Sequence, residues 1–155
     1  MTPPKFGARS RACLDTLDHR LRRVVGAALV ALPAMAQTEG WILSDFSVVC
    51  GWRSPEEQDR LYAAGRSQLR GGQSRHNHTD AEGRPCSLAV DLLPYPWRWP
   101  ADGGDLPVDD ERRLRELAAV IKHSARVLGV AIEWGGDWTG FIDMPHYQVI
   151  APART

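Results

Sequence analysis

Between Ser10 and about Ala31 the apolar residues Leu14, Leu17, Leu21, Val24, Val25, Ala28 and Leu29 recur at steps of three and four, with Arg and Asp between them. That period predicts one amphipathic helix covering a core. The turn-prone Thr38-Glu39-Gly40 follows. Asp45 to Trp52 is then rich in β-branched and aromatic residues and predicts a strand. Ser54-Pro55-Glu56-Glu57 starts a second helix: Ser54 can cap, Pro55 suits the first helical position, and Glu57 stands where a capping box needs it. This helix runs to Ala64 and stops at Gly65.

From Gly65 to Cys86 the chain turns to Gly, Arg, Ser, Asn and His without apolar periodicity, which predicts a long surface loop. Loops of that length are usually functional or disordered. Leu88 to Leu93 is an apolar run interrupted by one carboxylate, Asp91, and reads as a buried strand whose charge needs a partner. Pro94 to Pro107 carries four prolines with Trp97 and Trp99, so it wraps the surface and could border a peptide groove. A third helix is predicted from about Asp110 to Leu128, with Gly129 at its end. Two short strands follow, Ala131 to Trp134 and His146 to Ile150. This order does not alternate, so the expected fold is α+β, a small antiparallel sheet flanked by about three helices. We expect a single domain over residues 1–155, and there is no internal repeat.

Charge removes some classes of partner. Lys+Arg and Asp+Glu are balanced at 19 each, leaving no net field for nucleic acid or an anionic membrane. Met1 to Arg9 lacks the apolar stretch of a secretory signal, and the most apolar run, Ala27 to Ala36, is too short to span a bilayer. The expectation is a soluble monomer made in the cytoplasm without a signal peptide. Cys13, Cys50 and Cys86 are odd in number and widely spaced, which predicts buried free thiols rather than a disulfide framework.

A catalytic zinc site needs ligands of the His, Asp, Glu or Cys type, an open position, and a carboxylate nearby to move a proton. His76 lies in the Gly-rich loop, with His78 close by as an alternative; Asp91 lies on the following strand, and His146 begins the last strand. Asp143 precedes His146 across Met144-Pro145, a spacing that lets both side chains converge with the carboxylate beside the metal. Taken singly, each has a blander reading: a solvated loop histidine, a strand-end carboxylate, an Arg53 paired with Glu57 on the surface. His19 and His123 have no acidic or Cys/His cluster around them and read as surface residues, while Asp137 reads as a turn cap after Gly135-Gly136. Cys86 is a rival soft ligand.

Gly51-Trp52-Arg53-Ser54 with Gln58, Ser74-Arg75-His76-Asn77, Ala89-Val90-Asp91-Leu92, and Trp134-Gly135-Gly136-Asp137-Trp138 with Phe141 to His146 are taken together in that order. They resemble the motifs of the zinc D-Ala-D-Ala dipeptidase, carboxypeptidase and L-alanyl-D-glutamate endopeptidase family, which includes phage endolysins and shares its fold with hedgehog-type proteins. The resemblance spans residues 46–149. It implies one zinc per chain on His76, Asp91 and His146, Asp143 as the general base and later the proton donor, and Arg53 binding substrate and stabilising the developing oxyanion. It also implies substrate contacts from Gln58 and Ser74. The implied substrate is a peptidoglycan stem peptide cut between L-Ala and D-Glu, in the setting of a phage or prophage lysis enzyme that meets the wall after release. A D-Ala-D-Ala carboxypeptidase or dipeptidase, or a zinc-stabilised wall-binding module without activity, are the alternatives. The chain departs from the family in its spacer between His76 and Asp91, which is lengthened by a polar stretch within Asn77 to Arg84. A surface excursion there leaves both ligands in place, because added loop length costs little.

Overall fold

The structure, a computed structural model, describes Thr2 and residues 4–150. The apolar period expected to form one N-terminal helix is broken into α1 (Ala8–Leu14) and α2 (His19–Glu39). The break is made by partners distant in sequence. Ser87 N–H donates to the Thr16 carbonyl at 2.8 Å, Asp18 N–H donates to the Ser87 carbonyl at 2.9 Å, and the Asp18 carboxylate then caps α2 by accepting from Arg20 N–H at 2.9 Å. Helix α2 also continues through Pro33 to a left-handed Gly40 at φ 67°. Leu32 is buried, and Met35 and Ala36 still pack on the core, so the apolar face outlasts the proline and keeps the helix going.

The remaining elements are β1 (Phe46–Cys50), α3 (Pro55–Ala63), β2 (Ala89–Pro94), α4 (Val108–Leu128), β3 (Ile132–Trp134) and β4 (His146–Val149). Short 3-10 turns cover Arg75–Asn77 and Gly135–Asp137. The four strands form one antiparallel sheet in the order β1-β2-β4-β3. The architecture is therefore α+β as expected, with four α-helices because the first predicted helix is two.

Strand alternation decides which face carries chemistry. Val48, Val90, Leu92, Tyr147 and Val149 join Leu21, Val24, Val25, Leu117 and Ile121 of the helices in one buried cluster. Residues between them on the strands, Asp91, His146 and Gln148, consequently point to the opposite face. Their positions follow from a period of two in β2 and β4. The β1–β2 register shifts between Val48 and Cys50, a bulge that sets Cys50 opposite Asp91 and turns the chain into Gly51.

The lengthened spacer is a self-contained tab. Thr79 bridges Pro85, and the Asp80 carboxylate accepts from the backbone N–H groups of Glu82 and Arg84 and from the Arg84 guanidinium. Trp97 and Trp99 pack edge to face on each other at 5.3 Å. They do not line the cleft described below, contrary to the peptide-groove expectation, because their loop leaves the Pro94 end of β2 beside Asp45. The three cysteines are free as expected, but half-buried rather than buried.

Candidate active site

Asp91 and His146 are direct cross-strand partners in the β2–β4 register. His76 reaches them from the 3-10 turn, whose geometry is specified locally. Ser74 Oγ accepts from His76 N–H at 3.2 Å, and Asn77 Oδ1 accepts from Ser74 N–H at 3.2 Å, a reciprocal cap. Asn77 Nδ2 donates to the Arg53 carbonyl at 2.8 Å and Arg53 N–H donates to the His76 carbonyl at 2.9 Å, tying this turn to the chain leaving β1. A surface loop was expected over this stretch; within it, His76 and Asn77 are buried.

Hydrogen-bond partners assign both histidine tautomers. His76 Nδ1 lies 2.7 Å from the Gly51 carbonyl, which can only accept, so Nδ1 carries the proton. His146 Nε2 lies 3.0 Å from Gln148 Oε1 and likewise donates. The free nitrogens, His76 Nε2 and His146 Nδ1, stand 3.3 Å apart; they are 3.4 and 3.2 Å from Asp91 Oδ1. With both rings neutral, three acceptors thus converge with no donor among them. Ligands at about 2.0–2.1 Å from a tetrahedral zinc stand about 3.3 Å from one another, the size of this triangle. The donor set fits a zinc ion with one position open to the cleft.

Without a metal, the positive charge at this point sits on His76 itself. Burial would lower the His76 pKa, but hydrogen bonding to Asp91 and Cys50 overrides it and pushes it up to about 10. Asp91 is half-buried, and burial opposes ionisation, yet its bonds to His146 and His76 hold its carboxyl far below the ordinary range. Cys50, His76 and Asp91 also place ligand atoms within 4.8 Å of one another. However, Cys50 Sγ faces His76 Nδ1, at 3.9 Å, the nitrogen already committed to Gly51. Cys50 therefore stands behind His76 rather than at the point of convergence. His78 is exposed with Nδ1 against the Cys86 carbonyl, and Cys86 Sγ faces Asp18. Neither points into the triangle.

A cleft of about 580 Å³ opens over this point, lined by Arg53, Ser74, His76, Asp91, Asp143 and His146 together with Arg66, Arg75, Trp138 and Phe141. A family model described as phage L-alanyl-D-glutamate peptidase matches residues 3–148. The chain belongs to that family. The peptidase is 33% identical over 130 residues to the peptidoglycan L-alanyl-D-glutamate endopeptidase CwlK of Bacillus subtilis strain 168, covering 77% of this chain and 68% of CwlK. Its structure is similar to the crystal structure of the Serratia marcescens L-Ala D-Glu endopeptidase ChiX, with a TM-score of 0.65 and 29% identity over 94% of this chain and 89% of that one.

In this peptidase Asp143 is carried by a tight loop closed by Asp143 N–H donating to Gly135 O at 2.9 Å and His146 N–H donating to Asp143 O at 3.1 Å. Burial, and then repulsion from Asp91, push the Asp143 carboxyl up from its ordinary value. Arg53 Nη1 donates to Gln58 Oε1 at 2.8 Å, while Nη2 lies 3.4 Å from Cys50 Sγ and 3.5 Å from Asp91 Oδ2. Gln58 does not reach the cleft: it is 1% exposed, and its amide nitrogen donates to Ser67 Oγ and the Leu69 carbonyl. It holds Arg53 from beneath. Among the described residues no helix is long and apolar enough to cross a membrane.

Sequence reading had missed Cys50, Glu133 and Gln148. Gln148 carried a usable signal, since it lies two residues after His146 on a predicted strand and shares its face. Glu133 becomes a neighbour only through the Glu133–Gln148 register of β3 and β4.

Proposed function

We propose that this chain is a zinc metallopeptidase that hydrolyses the L-Ala–D-Glu bond of peptidoglycan stem peptides, in the setting of phage or prophage lysis. The observation that carries the reading is the triangle of His76 Nε2, Asp91 Oδ1 and His146 Nδ1, whose proton-bearing counterparts both turn outward. One zinc per chain held there supplies Lewis-acid polarisation of the scissile carbonyl and a more acidic attacking water.

The chain's own groups do the rest. Asp143 stands over the cleft with a raised pKa, so its ionised form is a better base than an ordinary carboxylate; it takes the water's proton and returns it to the leaving amine. Arg53 presents a guanidinium fixed by Gln58 and by its backbone bonds to His76 and Asn77, ready to meet negative charge on the carbonyl oxygen. Ser74 shapes the His76 turn from the cleft wall, and Trp138, tilted against His146 at 5.2 Å, forms the other wall.

The test is incubation of the zinc-loaded protein with purified stem peptides, with identification of the new termini. A new D-Glu amino terminus, lost on chelation, is expected. Asp143→Ala should abolish its release while zinc content stays near one per chain. Release of terminal D-Ala instead would turn the reading to a carboxypeptidase, and peptide binding without cleavage would turn it to a binding module.

A further inference from the structure

We infer that Glu133 is a positioning residue for His146, acting through the Gln148 amide and the Trp138 indole, and that this bracket sets how tightly the site holds its metal. The inference rests on the zinc-site reading above. Glu133 does not line the cleft, yet its Oε2 accepts from Gln148 Nε2 at 3.1 Å and from Trp138 Nε1 at 3.3 Å.

The two ends of a glutamine amide have nearly the same shape, so only partners decide which way it faces. An ionised Glu133 can only accept. It therefore takes the NH₂ end of Gln148 and leaves Oε1 for His146 Nε2, 3.0 Å away. An acceptor at that place keeps the imidazole proton on Nε2 and leaves Nδ1 as the lone pair facing His76 and Asp91. The same carboxylate anchors the Trp138 ring, which lies 5.2 Å from the His146 ring and limits its rotation. Tautomer and ring orientation thus trace back to one carboxylate that never touches the metal position. Without Glu133 the Gln148 amide can invert, offer NH₂ to Nε2, and move the proton to Nδ1, where it blocks the converging lone pair. Outer groups of this kind change metal affinity by about tenfold to hundredfold.

The experiment measures zinc affinity by competition with a chromophoric chelator, together with the visible spectrum of the cobalt(II)-loaded protein, for wild type, Glu133→Ala and the double variant Glu133→Gln/Gln148→Glu. The double variant keeps the 133–148 pair and an acceptor for His146 Nε2, with the roles of 133 and 148 exchanged, and gives up the Trp138 bond, because a single Glu133 oxygen serves both Gln148 and Trp138. Glu133→Ala is expected to bind zinc about tenfold to hundredfold more weakly and to alter the cobalt bands. Its metal-free melting temperature is expected to stay near wild type, and the double variant should recover part of the affinity, through the 133–148 pair alone. Unchanged affinity in Glu133→Ala, or a double variant no tighter than it, overturns the inference while leaving the zinc site standing. A wild-type chain that takes up no zinc overturns both. Should Glu133→Ala fail to fold, Gln148→Leu, which removes both amide bonds, is read by the same criteria.

Discussion

Gly135 and Asp143 meet backbone to backbone: Asp143 N–H donates to the Gly135 carbonyl at 2.9 Å, and a Cβ on Gly135 would collide with the Asp143 carbonyl oxygen. The glycine is needed here for space rather than for an unusual φ. That contact closes the loop from β3 to β4 and fixes the direction from which the Asp143 carboxylate enters the cleft. Gly135→Ala must push the two strands of the loop apart. Misplacement of a reacting group by about 1 Å costs about a hundredfold in rate. We expect kcat to fall by about that factor while zinc stays near one per chain, since His76 and Asp91 lie off the loop and His146, although its N–H bonds to the Asp143 carbonyl, is also held by its cross-strand pairing with Asp91. Parallel measurement of kcat and metal content checks this; equal loss of both would show that the loop serves the metal instead.

Asp143 also sets a conflict between stability and reactivity. Its carboxyl pKa is raised in the folded chain, by burial and then by repulsion from Asp91. A group raised on folding favours the fold while it keeps its proton, and that contribution is lost as pH rises through the folded value. At neutral pH the ionised Asp143 therefore weighs against the metal-free fold. Asp143→Asn should raise the melting temperature of the metal-free protein at neutral pH, and the gain should vanish once pH falls below the ordinary carboxylate range. A neutral-pH melting temperature below wild type would contradict the assignment of burial and repulsion as the cause.

The elements that position the site were legible where local pattern determines them. The odd carboxylate in the apolar run of β2 announced Asp91, and the proline-spaced Asp143 and His146 announced convergence, because both are consequences of a period of two and a rigid turn. Other features depend on partners that no local pattern names. The break at Asp18 exists because Thr16 and Asp18 bond to Ser87, and the value of Gln58 lies in gripping Ser67 and Leu69 beneath Arg53. Trp97 and Trp99 looked like groove walls by composition, but the direction in which β2 ends put them elsewhere.

The spacer tab gives a direct test of which histidine matters. His76 is buried with Nε2 in the triangle, whereas His78 is exposed and bonded outward to the Cys86 carbonyl. The tab's own bonds, from Asp80 to Glu82 and Arg84, are internal to it. His76→Ala should abolish stoichiometric zinc binding, while His78→Ala should leave zinc content and activity within about twofold of wild type. Metal analysis after exhaustive dialysis decides between them, and loss of zinc in His78→Ala would move the first ligand into the tab.

Glu116 is a buried charge with a purely architectural role, and its removal separates stability from the site. It is 7% exposed on α4; Oε2 accepts from Ile42 N–H at 3.1 Å and Leu43 N–H at 2.8 Å, and Oε1 accepts from Arg112 Nε at 2.8 Å. These bonds pin the chain between α2 and β1 onto α4. Glu116→Ala strands two backbone donors, one of them on the buried Leu43, and each orphaned buried donor costs about 1–3 kcal/mol. Arg112 keeps a partner in the Gly40 carbonyl, 3.0 Å from Nη2, so its charge is not left unpaired. Because the exposed Ile42 N–H can turn to water and only the Leu43 donor is left buried, we expect a loss of about 1–3 kcal/mol in urea unfolding with the slope unchanged. Zinc affinity should be unaltered, because the pinned segment lies at the Phe46 end of β1 while Asp91 faces Cys50 at the other. Weakened zinc binding in a folded Glu116→Ala would instead show that strain at this end of β1 is transmitted across the Val48–Cys50 bulge to the metal triangle.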